Sequence, residues 1–190
     1  MIVVSIDIGY HNLGMVNSTV DDKTYEINIL DVFKIDITKI SHKKIKRQDC
    51  KLYHTSELSD YFSHFVQEFG DILDQADRIL IERQPPGGLT NVEALFVYTY
   101  RDKIELISPN SMHKHFQINF LEYEKRKEKT IEFSESFLEN FQEYQELSRK
   151  HDIADAVCMI IFKFAKHKEK YRLSQVDRSV SFETFLFVKQ

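Results

Sequence analysis

Asp7, Glu82, Asp152 and Asp155 are the residues whose types and positions invite chemistry. Asp7 interrupts the β-branched, apolar run Ile2 to Ile8, where an ionised carboxylate costs several kcal/mol unless a cation compensates. Glu82 repeats the oddity directly after Ile79-Leu80-Ile81. Asp152 and Asp155 are three apart at the start of a helical pattern, so both project from one side of its first turn. Singly, each has a structural explanation. The first two could be strand-end acids reaching solvent, and the helical pair alone reads better as an N-cap and its partner. As a set they differ, because four converging acids repel one another unless cations bind. Oxygen-only ligation suits hard ions, Mg²⁺ with Mn²⁺ able to substitute, and no His/Cys zinc pattern accompanies these acids. Two such ions ~4 Å apart could activate a water and stabilise the oxygen departing from phosphorus. Gly9, just after Asp7, would let a nucleic-acid backbone come close, or is simply a turn glycine.

The elements that must position these acids follow from periodicity. Ile2 to Ile8 reads as a strand buried on both faces. Gly9, Asn12 and Gly14 supply turn chemistry before a second strand, Met15 to Val20. Asp21-Asp22-Lys23 marks another turn and Tyr25 to Ile35 a third strand, completing an antiparallel meander. A helix opens near Ser56, with Leu58, Phe62, Phe65, Phe69 and Ile72 on one stripe. Arg78 to Arg83 is a short buried strand stopped by Pro85-Pro86-Gly87-Gly88, Thr90 to Tyr100 is helical, and Ile104 to Ser108 is a fifth strand ended by Pro109. Helices are expected from about Lys127 to Leu147 and from Asp152 to about Lys166. This order predicts an α/β fold: a five-stranded mixed sheet, three meander strands then two crossover strands, with helices on both faces. Residues 1–190 make one domain, with 168–190 as an extension whose Phe182, Phe185 and Phe187 suggest a docked segment or an interface strand.

Composition sets the outer limits. Hydrophobic residues at 42% and charged ones at 29% give the balance of an ordinary globular protein. No apolar run approaches the ~20 residues of a membrane helix. Cys50 and Cys158 lie far apart, the second in an apolar stretch, which suits a reducing intracellular compartment. A net charge of −4 argues weakly against nucleic acid, but its distribution is uneven. Lys39, Lys43, Lys44, Lys46, Arg47 and Lys51 face only Asp49 as counter-charge; alone, such a run reads as a solvated loop.

Three motifs then carry a resemblance. Ser5-Ile6-Asp7-Ile8-Gly9 with Asn12-Leu13-Gly14, then Ile81-Glu82-Arg83-Gln84, then His151-Asp152-Ile153-Ala154-Asp155-Ala156 occur in this order. Together they make the chain resemble, from residue 1 to about 166, the poxvirus Holliday junction resolvases, kin of the bacterial RuvC resolvases in the RNase H-like superfamily. The resemblance implies an RNase H-like fold and Asp7, Glu82, Asp152 and Asp155 as catalytic metal ligands. It implies cleavage of branched DNA by paired symmetric nicks leaving a 5′-phosphate and a 3′-hydroxyl, and a homodimer to make them. It further implies work on replication and recombination intermediates in the host cytoplasm at sites of viral DNA replication. Lys114 and Lys129 sit where the family carries helpful catalytic lysines. Lys43, Lys44, Lys46, Arg47 and Lys51 become the expected phosphate contacts, with binding that weakens as salt rises. Some bacterial relatives carry an aromatic wedge after the second acid; here Pro85-Pro86-Gly87-Gly88 stands instead.

Several readings stay open. His151 either assists proton transfer or phosphate contact or is an ordinary helix-start residue, and His11 reads as structural or solvent-facing. Phe96, Tyr98 and Tyr100 could meet a second copy or DNA, though a helix stripe is more often core. An actin-like ATPase also opens with Asp-Ile-Gly, but five glycines and 190 residues are too few for two phosphate-binding lobes. A non-catalytic DNA-binding module would have no reason to keep four mutually repelling acids. A ribonuclease acting on RNA–DNA hybrids uses the same residue chemistry and is the nearest alternative.

Overall fold

The computed structural model describes residues 1–42 and 50–187, with side chains for 1–40 and 50–172. Its strands are β1 (Ile2–Asp7), β2 (Leu13–Val20), β3 (Ile27–Ile35), β4 (Arg78–Glu82) and β5 (Ile104–Ile107). They form one sheet in the order β3-β2-β1-β4-β5. β1 pairs antiparallel with β2 and β2 with β3, whereas β1–β4 and β4–β5 are parallel. The expected mixed sheet is therefore present. β2 starts two residues earlier than its apolar pattern suggested, because Leu13 and Gly14 already pair with Ile35 and Lys34.

The helices are α1 (Leu58–Gln75), α2 (Thr90–Thr99), α3 (Pro109–His115), α4 (Tyr123–Leu138), α5 (Gln142–Gln145) and α6 (His151–Phe187), with a short 3-10 helix over Ile37–His42. α3 was not foreseen. Ser108 caps it, accepting from the Ser111 N–H at 3.4 Å, and Pro109 takes its first turn, where a missing N–H does no harm. The single helix expected over 127–147 is two. α4 begins a turn earlier and ends before Asn140, a residue that is poor in helix interiors, and Tyr144 then enters the core from α5.

α6 is the larger correction. It runs on to Phe187, past the expected end near Lys166, so residues 168–187 are helix and not an interface strand. Neither glycine nor proline occurs after Pro109, so nothing after Lys166 commands a stop.

Strand alternation divides the core in two. Val4, Ile6, Ile8, Ile79 and Ile81 point to the α1/α2 side with Phe62, Phe65 and Phe96. Val3 and Leu80 point to the α6 side with Ile153, Val157, Ile160 and Phe164. By the period of two, Ser5, Asp7 and Glu82 share that second face. Ser5 Oγ donates to the Ala156 carbonyl and ties the first turns of α6 to β1.

Candidate active site

Register brings the acids together. Ile6 lies beside Ile81 in the parallel pair, so Asp7 and Glu82 end adjacent strands at their C-terminal edges, on one face. That edge is where parallel sheets commonly carry their sites. Gly14, opposite Asp7 in β2, keeps the space that the start of α6 needs: a Cβ there would run into the Asp152 carbonyl. Gly9 belongs to the turn itself, since a Cβ would lie 2.7 Å from the Asn12 backbone. Of its two readings, the turn glycine is the one the structure supports.

Asp7, Asp152 and Asp155 are 8%, 3% and 5% exposed. Burial, then the charges of Glu82 and Asp155, holds the Asp7 carboxyl well above its ordinary range. Asp7 and Glu82 are within hydrogen-bonding reach, and Glu82 is raised too, chiefly by burial. Two buried carboxyls therefore share a proton-sized problem, with Asp155 worsening it for both.

Three cations answer the acids. Lys127 of α4 bonds the Asp155 carboxylate, and its Nζ lies 5.4 Å from the centre of the Tyr123 ring. Burial alone would lower its pKa, but Asp155 and Asp7 outweigh that and raise it. Arg149 forks onto Asp152, with Nε at 2.8 Å from Oδ2 and Nη2 at 3.1 Å from Oδ1, and Lys34 of β3 bonds the same carboxylate. Burial pushes Asp152 up, yet these bonds leave it below its ordinary value. Its partners are thus side-chain cations, and among the described residues its carboxylate makes no helix-capping hydrogen bond. The structure gathers Asp7, Glu82 and Asp155 into direct mutual influence, and Asp152 stands beside them in its own cationic clamp.

The lysines differ from expectation. Lys127 reaches the acids, whereas Lys129 pairs with Glu132 at 2.5 Å on the exposed side of α4. Two residues along a helix turn a side chain by ~200°, so only one of the pair can face α6. Lys114 is exposed on α3; its neighbour His113 is half-buried and feels Asp155. Lys34, Lys127 and Arg149 were the residues missed. A lysine inside the alternation of β3 and an arginine just before the Asp152 pair were their only traces in the sequence.

His151 is partly buried, with Nε2 3.5 Å from Asp152 Oδ1, and burial lowers its pKa. His11 is largely exposed, 3.3 Å from Asp36. Phe96 and Tyr100 are core residues, while Tyr98 is 87% exposed. Lys43, Lys44, Lys46 and Arg47 lie outside the described residues; Lys51 is exposed.

By type, the donors suit a hard divalent cation. All are carboxylate oxygens, two of them are raised chiefly by burial with the charge of Asp155 adding to both, and a dication would relieve both. Sulfur and imidazole nitrogen, which would favour zinc, are not among them.

The fold has solved counterparts. The Fowlpox virus resolvase in complex with its substrate Holliday junction DNA superimposes with a TM-score of 0.59 at 16% identity, covering 87% of this chain and 98% of that one. The Fowlpox virus Holliday junction resolvase alone gives 0.58 at 15% identity, covering 87% and 99%. Thermus thermophilus RuvC gives 0.53 at 14% identity, covering 88% and 96%. No curated protein matches the chain. The five-stranded mixed sheet with its helices is thus the RuvC-like resolvase fold. The family model for the Poxvirus A22 protein matches residues 1–166, the same span that carries all four acids, and the chain belongs to that family.

Proposed function

We propose that this chain is a structure-selective DNA endonuclease that resolves Holliday junctions and related branched DNA by hydrolysis of phosphodiesters. The observation that carries the reading is the cluster of Asp7, Glu82 and Asp155, with Asp152 beside it, at the C-terminal edge of β1 and β4. Membership of the Poxvirus A22 protein family and the shared fold of a resolvase bound to junction DNA support it.

Asp7, Glu82, Asp152 and Asp155 would hold divalent metal, Mg²⁺ or Mn²⁺. Bound there, the cation would supply the charge that acidifies an attacking water and offsets the charge of the departing 3′ oxygen. The chain's own residues do the rest. β1 and β4 fix two carboxylates rigidly, because both strands are buried in the middle of the sheet. α6 brings the other two from one helical turn, anchored by Ser5 and by the close approach over Gly14. Lys127, mostly buried and kept protonated by Asp155 and Asp7, stands ready to bond a phosphate oxygen whose charge grows as the bond breaks. Arg149 and Lys34 hold Asp152 ionised and oriented, so that it enters the reaction as a carboxylate.

Phosphate contacts from the basic stretch that includes Lys43, Lys44, Lys46, Arg47 and Lys51 would hold the arms. Two copies of the chain would make the paired nicks, acting in a reducing compartment, the host cytoplasm at sites of viral DNA replication. Both cysteines are free thiols, which accords with that setting.

The test is cleavage with Mg²⁺ or Mn²⁺ of a synthetic four-way junction, beside a linear duplex of the same sequence and an RNA–DNA hybrid. Symmetric paired nicks confined to the junction are expected. Cutting of the hybrid in preference to the junction would move the activity to a ribonuclease, and tight junction binding without cutting would make the chain a non-catalytic module.

A further inference from the structure

On the opposite side of the molecule from the carboxylates, a second group of metal-type ligands converges. Cys50, His54 and His64 place one ligand atom each within 4.8 Å of one another. Cys50 and His54 lie in the segment that precedes α1, and His64 stands on α1 itself, 3% exposed. Cys50 Sγ is 3.5 Å from His64 Nε2 and 3.9 Å from Gln67 Oε1, and the His54 and His64 rings are 4.8 Å apart between centroids.

Two features make this more than a crowd of polar residues. His64 Nδ1 donates to the Asp60 carbonyl one turn back, at 2.7 Å, which fixes the tautomer with Nε2 as the lone-pair nitrogen. That nitrogen is the one aimed at Cys50, the arrangement by which a backbone carbonyl orients a ligating histidine. The Asp60 carboxylate also accepts from the Thr55 N–H at 3.0 Å and from the Thr55 hydroxyl, so the residue next to His54 is pinned to the first turn of α1. The distances also suit zinc. With a metal–sulfur bond of ~2.3 Å and a metal–nitrogen bond of ~2.05 Å, a tetrahedron places sulfur about 3.6 Å from nitrogen. The 3.5 Å between Cys50 Sγ and His64 Nε2, a thiol–imidazole contact, matches that edge.

We propose that Cys50, His54 and His64 form a soft-metal site for Zn²⁺, separate from the hard-metal carboxylate site. On binding, the Cys50 thiol loses its proton to solvent as the sulfur–zinc bond forms, and both imidazoles bind neutral, so no electron is transferred. Three protein ligands leave a fourth position open to water. The site fastens the segment leading out of the basic stretch to α1 and thereby sets where Lys51 emerges. Sequence alone hid it: the spacing of three and nine residues between the ligands matches no paired Cys/His pattern, and it closes only because α1 folds back on the preceding segment.

The test uses the full chain, reduced and stripped of metal, titrated with Co²⁺ as a spectroscopic probe and then with Zn²⁺. One Co²⁺ per chain should give a thiolate-to-cobalt charge-transfer band in the near ultraviolet and tetrahedral bands in the visible, both discharged by Zn²⁺. Asp7→Asn should leave these bands unchanged, which separates this site from the nuclease reading. Cys50→Ser should abolish the charge-transfer band, and His54→Gln should weaken Zn²⁺ binding by more than the ~10–100-fold that loss of an outer partner costs. Cys50 and His54 are only partly buried, so both variants are expected to fold, which circular dichroism checks. Absence of the charge-transfer band at saturating Co²⁺ in the unsubstituted chain, or its persistence in Cys50→Ser, overturns the proposal.

Discussion

The two faces of the central strands are built to opposite specifications. On the α1/α2 side, β1 and β4 present Val4, Ile6, Ile79 and Ile81, all fully buried against phenylalanines. One residue over, on the α6 side, the same strands present Ser5, Asp7 and Glu82. Neighbouring positions in one strand thus differ by the whole range from hydrocarbon to buried carboxylate. The α1/α2 face is apolar throughout. The α6 face is apolar at Val3 and Leu80 but turns acidic at its C-terminal edge, where burial and like charge work against stability.

The largest expected effect on stability lies on the apolar face. Ile81→Ala should cost about 2–5 kcal/mol through lost burial and a residual cavity, read as a fall in the denaturant midpoint. If the loss were under ~1 kcal/mol, the reading of this face as apolar core would fail. On the acidic face the expected loss is of rate instead. Lys127→Met should lower single-turnover cleavage by roughly 10²–10³-fold while junction affinity changes little, as for removal of one fixed charge contact near the reacting atoms.

A smaller effect concerns pH without divalent metal. Burial first raises both Asp7 and Glu82 in the folded chain; the charges of Glu82 and Asp155 add to it for Asp7, and that of Asp155 for Glu82. Between the ordinary carboxylate range and those raised values the folded state holds more protons than the unfolded one. Stability from these groups is therefore lost as pH rises through that window. In a chelator, Asp7→Asn should exceed the unsubstituted chain in Tm, by a margin that widens as pH rises above the ordinary carboxylate range. Each kcal/mol of relieved repulsion should appear as roughly 2–4 °C. An equal or shrinking margin would mean that the acids are not repelling one another. Smallest of all is Lys129→Ala, whose exposed partner Glu132 predicts a change within ~0.5 kcal/mol and unaltered cleavage, against the large loss at Lys127 two residues away.

Much of this contrast was written in the sequence. Apolar runs bounded by turn residues located all five strands, and four acids in unwelcome places marked the candidate site, because a carboxylate inside a β-branched run is conspicuous on its own. The cations were harder to see. Lysines and arginines are common on any surface, and which of Lys127 and Lys129 faces α6 depends on a helix phase that a boundary error of one turn scrambles. The length of α6 was missed for the converse reason: the apolar stripe fades after Phe164, but a helix without a breaker does not need one to continue. The convergence of Cys50, His54 and His64 depends on tertiary packing and leaves no periodic trace.

Asp7 sits at the centre of the candidate site, and the decisive measurement is binding and cutting of one four-way junction by Asp7→Asn. Cleavage should fall by at least ~10³-fold, several kcal/mol of lost charge stabilisation, with junction affinity equal to or tighter than that of the unsubstituted chain. Cleavage within tenfold of the unsubstituted rate would contradict the assignment of the buried carboxylates as the site of reaction.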